Sequence, residues 1–243
     1  MATIVDGRKT FIPLENNPEV LAHLCRNLAV SRGLTFHDVL STSSDLLADI
    51  PRPIRAVILL CDKPIYNAAR ATLETTIPEY HGHGPQEPVL WMKQTIGHAC
   101  GLMALLHCVF NLANGKYVTP KSQLEALMQR AVGLEPKERA QLLYGSQFLE
   151  DAHMDAASQG ASSIPLAQDD NHFHFVGFVK VDDGKVWELN GGLPGPLFRG
   201  MLQPHEDLLG ERGLAMTVKD FLDAAQTQRS NIGVSMVAVG ETD

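Results

Sequence analysis

The sequence predicts an α+β fold in which a central antiparallel sheet is flanked by helices. The apolar run over residues 102–110 is rich in Leu, Ala and Met, a composition typical of a buried helix. The branched run Ala56–Cys61 has the length and composition of a fully buried central strand. Residues 172–190 are typical of two strands joined by the turn Asp182-Asp183-Gly184. Because helices and strands do not alternate one by one along the chain, the pattern indicates an α+β fold.

Length and composition predict one globular domain over residues 1–243. The chain shows no internal repeat, and its contents of 44% hydrophobic and 20% charged residues are typical of a soluble globule. No apolar run reaches the roughly 18 residues of a membrane-spanning helix, and the first residues lack the basic and apolar segments of a secretory signal. We therefore expect neither a membrane anchor nor secretion.

The cysteines indicate the cellular compartment of the protein, and the net charge indicates which kinds of partner it can bind. The four cysteines are scattered without a CxxC pair, which predicts free thiols in a reducing compartment, the cytoplasm or also the nucleus. The formal net charge of −8 makes nucleic acid and anionic membranes poor partners and favours basic surfaces.

The first half of the chain alternates helix and strand signals. Asn17 is a suitable N-cap with Pro18 at the first helical position, and apolar residues then recur with helical spacing up to Leu28. Further elements are predicted as a strand at Leu34–Leu40, a short helix at Ser44–Ile50, a strand at Ile54–Cys61, a helix at Pro64–Thr76 and a loop at Pro78–Pro88.

The second half is predicted to close the sheet. The pattern gives helices at Pro120–Val132, with Thr119 as N-cap, at Pro136–Tyr144 and at Thr217–Gln228, and a last strand at Ile232–Val239. Residues 151–171 show no sustained period and are interpreted as a long loop, which in a compact domain is usually functional or disordered. Residues 194–213 are interpreted as irregular.

The segment 94–101 has features of a nucleophile site. Cys100 lies at the predicted start of the apolar helix, where the helix dipole stabilises a thiolate and lowers the thiol pKa. Gln94, six residues earlier, can aim its amide at a developing oxyanion, and the Cys100 N–H can supply a second donor. A cysteine in such a helix is more often a buried apolar residue, so the pattern alone leaves both interpretations open.

The histidines are less specific. His172 and His174 fall on the same face of the predicted strand, so alternation does not choose between them as a base, and a strand histidine is more often a packed residue. His81 and His83 lack nearby ligands at metal-binding spacing, so we expect no metal site and no cofactor. The remaining candidates are expected in the core: His107, Cys25, Cys61 and Cys108.

Lys93-Gln94-Thr95-Ile96, followed by Ala99-Cys100-Gly101, resembles the active-site signature of the ubiquitin carboxyl-terminal hydrolase family. Further matches extend the resemblance from about Lys9 to Val239, namely Pro13-Leu14-Glu15, Pro136–Ala140, His174-Phe175-Val176 and Trp187–Gly191. The resemblance implies a papain-like two-lobed fold with a knotted backbone. It also implies Cys100 as nucleophile, His174 as general base and Gln94 as oxyanion donor.

The implied activity is that of a cysteine deubiquitinase. Such an enzyme hydrolyses amide or ester bonds at the C-terminal glycine of ubiquitin and releases small adducts or short peptides. Ubiquitin is then the partner, the enzyme is expected to be a monomer, and Ala152–Asp170, including His153, corresponds to a crossover loop over the cleft. A hydrolase that prefers the ubiquitin-like modifier Nedd8 is the alternative within the same enzyme class.

Two residues depart from the family pattern. Asn190 stands where the family has the Asp of its triad, and His98 stands where an Asn is usual. An asparagine can orient the histidine through its side-chain oxygen, but it brings no charge to stabilise the imidazolium. Asn190 could also merely cap the turn before Gly191-Gly192. These departures motivate a further alternative, a ubiquitin-binding protein with weakened catalysis.

Overall fold

The structure is a computed structural model that describes residues 1–71, 77–162, 165–169, 171–228 and 233–242. Its centre is a six-stranded antiparallel sheet, and a separate two-stranded hairpin lies at the N-terminus. The strands are β1 (Thr3–Val5), β2 (Arg8–Thr10), β3 (Leu34–Asp38), β4 (Ile54–Asp62), β5 (Phe173–Lys180), β6 (Lys185–Leu189), β7 (Leu197–Met201) and β8 (Val234–Glu241). The sheet has the order β3-β8-β4-β5-β6-β7.

Helices cover both faces of the sheet. They are α1 (Pro18–Asn27), α2 (Ser44–Leu47), α3 (Lys63–Arg70), α4 (Cys100–Asn111), α5 (Gln123–Val132), α6 (Pro136–Tyr144), α7 (Gln147–Ala157), α8 (Glu211–Met216) and α9 (Lys219–Gln228). Helices α1 and α4–α7 pack on one face, and α2, α3, α8 and α9 pack on the other. In the described ranges no helix has the length and apolar character needed to cross a bilayer.

The two faces follow from alternation along the central strands. Ile58 of β4 and Phe175 of β5 enter the first core, whereas Leu59 and Val176 enter the second. Every residue of α4 is buried, which explains why its sequence is apolar on all sides. Gly177 of β5 lets α4 approach closely, since a Cβ there would lie 3.2 Å from the carbonyl oxygen of Ala104. This contact fixes α4 against β5.

Most predicted elements are confirmed, including the α+β class. The Asn17 side chain accepts the N–H of Glu19 at 2.8 Å and caps α1 as predicted. The predicted helix from Pro64 is observed as Lys63–Arg70, and residues 72–76 of that prediction lie outside the described residues. The closing strand is observed from Val234, whereas Ile232, where it was predicted to begin, lies outside them.

The predicted loop at 151–171, and the crossover loop at Ala152–Asp170 within it, begin too early. Helix α7 continues to Ala157, so the segment over the cleft begins only at residue 158. The helix is stabilised by Ser146, whose hydroxyl accepts the N–H of Leu149 at 3.3 Å, and by packing against α1. His153 therefore lies in a helix and is fully buried, with Nε2 donating to the carbonyl of Ile12 at 2.7 Å.

Other details also differ from the prediction: β3 ends at Asp38, α2 ends at Leu47 and α9 begins at Lys219. Thr119 is not the cap of α5, because Ser122 accepts the N–H of Glu125 at 3.1 Å and the helix starts at Gln123. The stretch 194–213 contains β7, which pairs with β6, and the start of α8. The β1–β2 hairpin was not predicted.

Candidate active site

The structure brings the predicted site residues together. Gln94, Cys100 and His174 line one cavity of about 450 Å³, and Asn190 lies directly behind His174. Asn190 does not line the cavity and is only 2% exposed. His172 precedes β5 and is engaged through its backbone, whose carbonyl accepts the N–H of Lys63 at 2.8 Å. Of the two histidines, His174 lines the cavity of Cys100, whereas His172 does not.

Cys100 is the first residue of α4, as predicted, but its thiol is not ionised by its surroundings. Burial raises the pKa of the Cys100 thiol, because the side chain is almost removed from water. The backbone N–H groups of Phe175, Gly101 and Cys100 act in the opposite direction without outweighing burial. The expectation of a lowered pKa is therefore wrong, and ionisation of Cys100 requires a base that takes its proton.

His174 is oriented by Asn190. The Nε2 atom of His174 lies 3.0 Å from Oδ1 of Asn190, and the same oxygen accepts the N–H of Gly192 at 2.8 Å. A backbone N–H can only donate, so the atom that faces Gly192 and His174 is the amide oxygen. His174 therefore donates through Nε2–H, and Nδ1 is its basic nitrogen.

Gln94 is held between its own loop and the segment after β6. Its Nε2 donates one of two hydrogens to the carbonyl of Ile96 at 3.0 Å, and its backbone N–H donates to Gly191 at 2.9 Å. A Cβ at Gly191 would lie 2.8 Å from both the Gln94 nitrogen and the Met92 carbonyl oxygen. Only glycine allows the two segments this close.

Two buried side chains hold the strand-like segment that leads to Gln94. A guanidinium nitrogen of Arg139 donates to the carbonyl of Trp91, and Nε2 of His107 accepts the N–H of Met92 at 2.9 Å. Burial lowers the pKa of His107 to about 3, so this imidazole stays neutral. His107 was predicted to be a packed core residue, and this is confirmed. The role of Arg139 was not predicted, because a helical arginine gives no sequence signal for burial.

The N-terminal hairpin forms one wall of the cavity. Two backbone hydrogen bonds join Gly97 to the hairpin and to the residue after it. The Phe11 N–H donates to the Gly97 carbonyl at 3.0 Å, and the Gly97 N–H donates to the Lys9 carbonyl at 2.8 Å. Arg8 donates from Nε to the carbonyl of Thr95 at 2.7 Å. Asp6 and Arg8 also line the cavity, so the hairpin both fixes the loop before Cys100 and borders the site.

Between α7 and β5, the described residues Ala167, Gln168, Asp169 and Asn171 of the segment 158–172 also line the cavity. This segment is attached to the N-terminal segment through Glu15, whose carboxylate accepts the N–H groups of Ala161 at 3.0 Å and Ser162 at 2.5 Å. Burial alone would raise the pKa of Glu15, but these hydrogen bonds outweigh it and the net shift is downward. The carboxylate is therefore ionised at neutral pH.

A smaller cavity of about 220 Å³ lies beside the first and shares residues with it. It is lined by Glu15 and Asp169 together with apolar side chains such as Leu14 and Phe175. Within the part of the chain that the structure describes, no group of three or more His, Cys, Asp or Glu residues is placed to hold a metal ion. A thiol, an imidazole held by an amide oxygen and nearby N–H donors are the groups that acyl transfer through cysteine uses.

The family model described as "Ubiquitin carboxyl-terminal hydrolase, family 1" matches residues 11–223. A probable ubiquitin carboxyl-terminal hydrolase of Dictyostelium discoideum is 37% identical over 194 residues, which cover 79% of this chain and 74% of the relative. The hydrolase YUH1 of Saccharomyces cerevisiae is 28% identical over 239 residues, which cover 96% of each chain.

The fold is similar to that of a solved structure. The crystal structure of the Trichinella spiralis UCH37 catalytic domain bound to ubiquitin vinyl methyl ester superposes with a TM-score of 0.65 at 18% identity, covering 96% of each chain. At this identity the likeness concerns the fold alone, whereas the family model and the relatives match the sequence itself. Since that match spans most of its length, the chain belongs to the ubiquitin carboxyl-terminal hydrolase family.

Proposed function

We propose that this chain hydrolyses amide or ester bonds at the C-terminal glycine of ubiquitin, with Cys100 as nucleophile and His174 as general base. One observation carries the assignment. One cavity is lined by Cys100, Gln94 and His174. Outside this lining, Asn190 accepts a hydrogen bond from Nε2 of His174 and so fixes the tautomer of that histidine. Asn190 thus takes the orienting role of a third triad member.

The chemistry follows from the protonation states. Because burial opposes ionisation of the Cys100 thiol, Nδ1 of His174 takes its proton as the sulfur attacks the carbonyl carbon of the terminal glycine. The new C–S bond leaves negative charge on the carbonyl oxygen, and the Cys100 N–H and the second side-chain N–H of Gln94 stabilise it. His174 then protonates the leaving amine as the C–N bond breaks.

The second half of the reaction releases the modifier. A water molecule gives a proton to Nδ1 of His174 and attacks the thioester carbonyl. The C–S bond breaks, the thiolate of Cys100 recovers its proton from His174, and ubiquitin leaves as a carboxylic acid that gives its proton to bulk water.

The cavities support a basic, extended substrate segment. Glu15 and Asp169 place two carboxylates along the smaller cavity, which lies beside that of Cys100, and the C-terminal tail of ubiquitin is basic. Residues 167–169 and Asn171 of the segment 158–172, together with the N-terminal hairpin, border the site. We infer that leaving groups are small adducts or short, flexible peptides, because a folded protein would not pass these segments.

A labelling experiment with ubiquitin vinyl methyl ester tests the assignment. We expect one covalent adduct, located on Cys100 by mass spectrometry and absent in Cys100→Ala. A Nedd8 probe of the same chemistry, in competition, separates a ubiquitin hydrolase from the Nedd8-preferring alternative. Tight ubiquitin binding without any adduct would instead support a binding protein with weakened catalysis, and His98→Asn would then be expected to restore labelling.

A further inference from the structure

We infer that Tyr66 is a positioning residue of the active site, which acts on His174 through Asn190. The Tyr66 hydroxyl accepts a hydrogen bond from the Asn190 amide at 2.9 Å, on the side opposite the histidine. This inference rests on the proposed roles of Cys100, His174 and Asn190, and it adds a residue that belongs to neither the cavity lining nor the resemblance.

The contacts of Asn190 form a buried chain. Its Oδ1 accepts from His174 at 3.0 Å and from Gly192 at 2.8 Å, while its Nδ2 donates to Tyr66. Tyr66 on α3 is 8% exposed and Asn190 is 2% exposed, so water does not replace these partners. The Tyr66 ring also meets the His174 ring edge-on, with centroids 4.6 Å apart and an interplanar angle of 61°.

Asn190 needs a partner on each side because the oxygen of its side-chain amide accepts hydrogen bonds, whereas the nitrogen donates them. Rotation of the amide by half a turn would point Nδ2 at His174, and two donors would then face each other. The Gly192 N–H selects the correct orientation from the oxygen end, and the Tyr66 hydroxyl selects it from the nitrogen end. Tyr66 therefore helps to keep the acceptor, and not the donor, against His174.

Tyr66 also strengthens that acceptor. Hydrogen bonds in a chain polarise one another, by about 10–30% per bond, so an amide that donates through nitrogen accepts better through oxygen. Polarisation of this kind partly replaces the negative charge that an aspartate would bring to the imidazolium. A carboxylate has two equivalent oxygens and no N–H to satisfy, so an acceptor opposite it has no orienting role.

This contrast gives a double-mutant test. Tyr66→Phe removes only the hydroxyl and is made alone and together with Asn190→Asp, and kcat and KM are measured on a fluorogenic C-terminal ubiquitin amide from pH 5 to 10. We expect Tyr66→Phe to lower kcat about three- to tenfold with little change in KM. The acidic limb of the profile moves to lower pH, since a less stabilised imidazolium forms only at lower pH and His174 stays the neutral base further into acid. In the Asn190→Asp background the loss is about twofold or less.

A second measurement that does not depend on turnover accompanies the pH profile, together with a control variant. Alkylation of Cys100 by iodoacetamide across the same pH range reports transfer of the thiol proton to His174 without turnover, and we expect the same shift. Charged or titratable groups that share the cavity with His174 are His98, Lys63, Asp169, Asp6 and Arg8, with Cys61 opposite it on β4. All of these groups are the same in the wild type and in the variants.

Tyr117→Phe is the control variant. It removes another buried hydroxyl, one that contacts Glu241, and is expected to leave both profiles unchanged.

Equal losses in the wild-type and Asn190→Asp backgrounds, or a fall in Tm with unmoved pH profiles, would overturn the inference and leave Tyr66 a purely structural residue. If Tyr66→Phe folds too poorly to assay, 3-fluorotyrosine at this position keeps the hydroxyl but weakens its oxygen as an acceptor. We then expect a smaller loss of kcat below pH 8, and no loss contradicts the inference. Activity that survives in Cys100→Ala or His174→Ala would instead refute the proposed triad, so the two failures are distinguishable.

Discussion

At the scale of residues, the site depends on proton transfer more than on a preformed thiolate. Burial raises the pKa of Cys100 despite its place at a helix start, so the basicity of His174 decides how much thiolate forms. His174 receives hydrogen-bonding support from Asn190 but no formal charge from it. Two residue-scale predictions follow from this dependence and from the close packing beside Gln94.

Asn190→Asp is expected to raise kcat/KM several-fold, about three- to tenfold, because a carboxylate stabilises the imidazolium by charge. The Gly192 N–H can still donate to this carboxylate. The acidic limb of the pH–rate profile should move to higher pH, because a stabilised imidazolium keeps its proton to higher pH. A variant whose rate and profile both match the wild type would show that the missing charge does not limit the enzyme.

Gly191→Ala is expected to lower kcat at least about tenfold and to lower Tm, because the new Cβ would lie 2.8 Å from backbone atoms that position Gln94. Steady-state kinetics and thermal unfolding measure both effects. Gly133→Ala is the matched control, since Gly133 has φ of −78° and the atom nearest to the added Cβ, the Arg130 carbonyl oxygen, is 3.9 Å away. Wild-type kcat in Gly191→Ala would contradict the role given to this contact.

At the scale of elements, the segment 158–172 is attached at one end to α7 and near its start to Glu15. The Glu15 carboxylate accepts two consecutive backbone N–H groups, and Gly160 allows the approach, since a Cβ there would lie 2.7 Å from that carboxyl group. The attachment holds the segment beside the two cavities. We expect its length to set which leaving groups can pass.

Insertion of six Gly and Ser residues after Ser162 should raise cleavage of conjugates with folded leaving groups, while hydrolysis of the small fluorogenic amide changes little. The reason is steric, because a longer segment leaves a wider opening at a modest cost in loop-closure entropy, roughly 0.6 kcal/mol per doubling of length. The same insertion after Ser41, between β3 and α2, is the control. Unchanged discrimination between the two substrates would mean that the segment does not sort leaving groups.

At the scale of the whole molecule, the sheet separates two cores that meet at the active site. Cys100 and Phe175 belong to the first core, whereas Tyr66 and Val176 belong to the second. Two neutral histidines, His107 and His153, are also buried in the molecule, both 0% exposed. Burial lowers their pKa values to about 3 and about 4, so the native state resists their protonation.

These histidines predict acid sensitivity of the fold. In the unfolded chain they take up protons near pH 6.5, whereas in the native state they do not until about pH 4 or below. The unfolded state therefore binds more protons between pH 6.5 and 4, and stability falls with decreasing pH there by up to ~1.4 kcal/mol per pH unit for each histidine. Urea unfolding from pH 7 to 5 measures the slope. His153→Gln should reduce it, and an unchanged slope would contradict the assignment.

Much of the fold could be predicted from local pattern, and the contacts between distant segments could not. Helix α4 was predicted because its composition is apolar on all sides, and α1 because Asn17 and Pro18 give a specific start. Helix α7 was missed because its sequence, rich in Ala and Asp, shows no clear period, and packing on α1 stabilises it instead. The β1–β2 hairpin is three residues per strand, too short for an alternation signal.

The residues proposed to react could be predicted, whereas the side chains that hold them in place could not. Gln94 and Cys100 are close in sequence, and the resemblance supplied His174 and Asn190. Tyr66 lies 124 positions from Asn190, and Arg139 contacts Trp91 across 48 positions, so neither contact leaves a local pattern. The thiol pKa was predicted in the wrong direction because a helix start is visible in the sequence, whereas the degree of burial is a tertiary property.

The most direct test of the central claim is hydrolysis of a fluorogenic C-terminal ubiquitin amide by the wild type and by Cys100→Ala. We expect turnover by the wild type and none by the variant, while circular dichroism and ubiquitin binding show that the variant remains folded. Equal turnover by both would contradict Cys100 as the nucleophile. A wild type that binds ubiquitin without turnover would contradict the hydrolase itself.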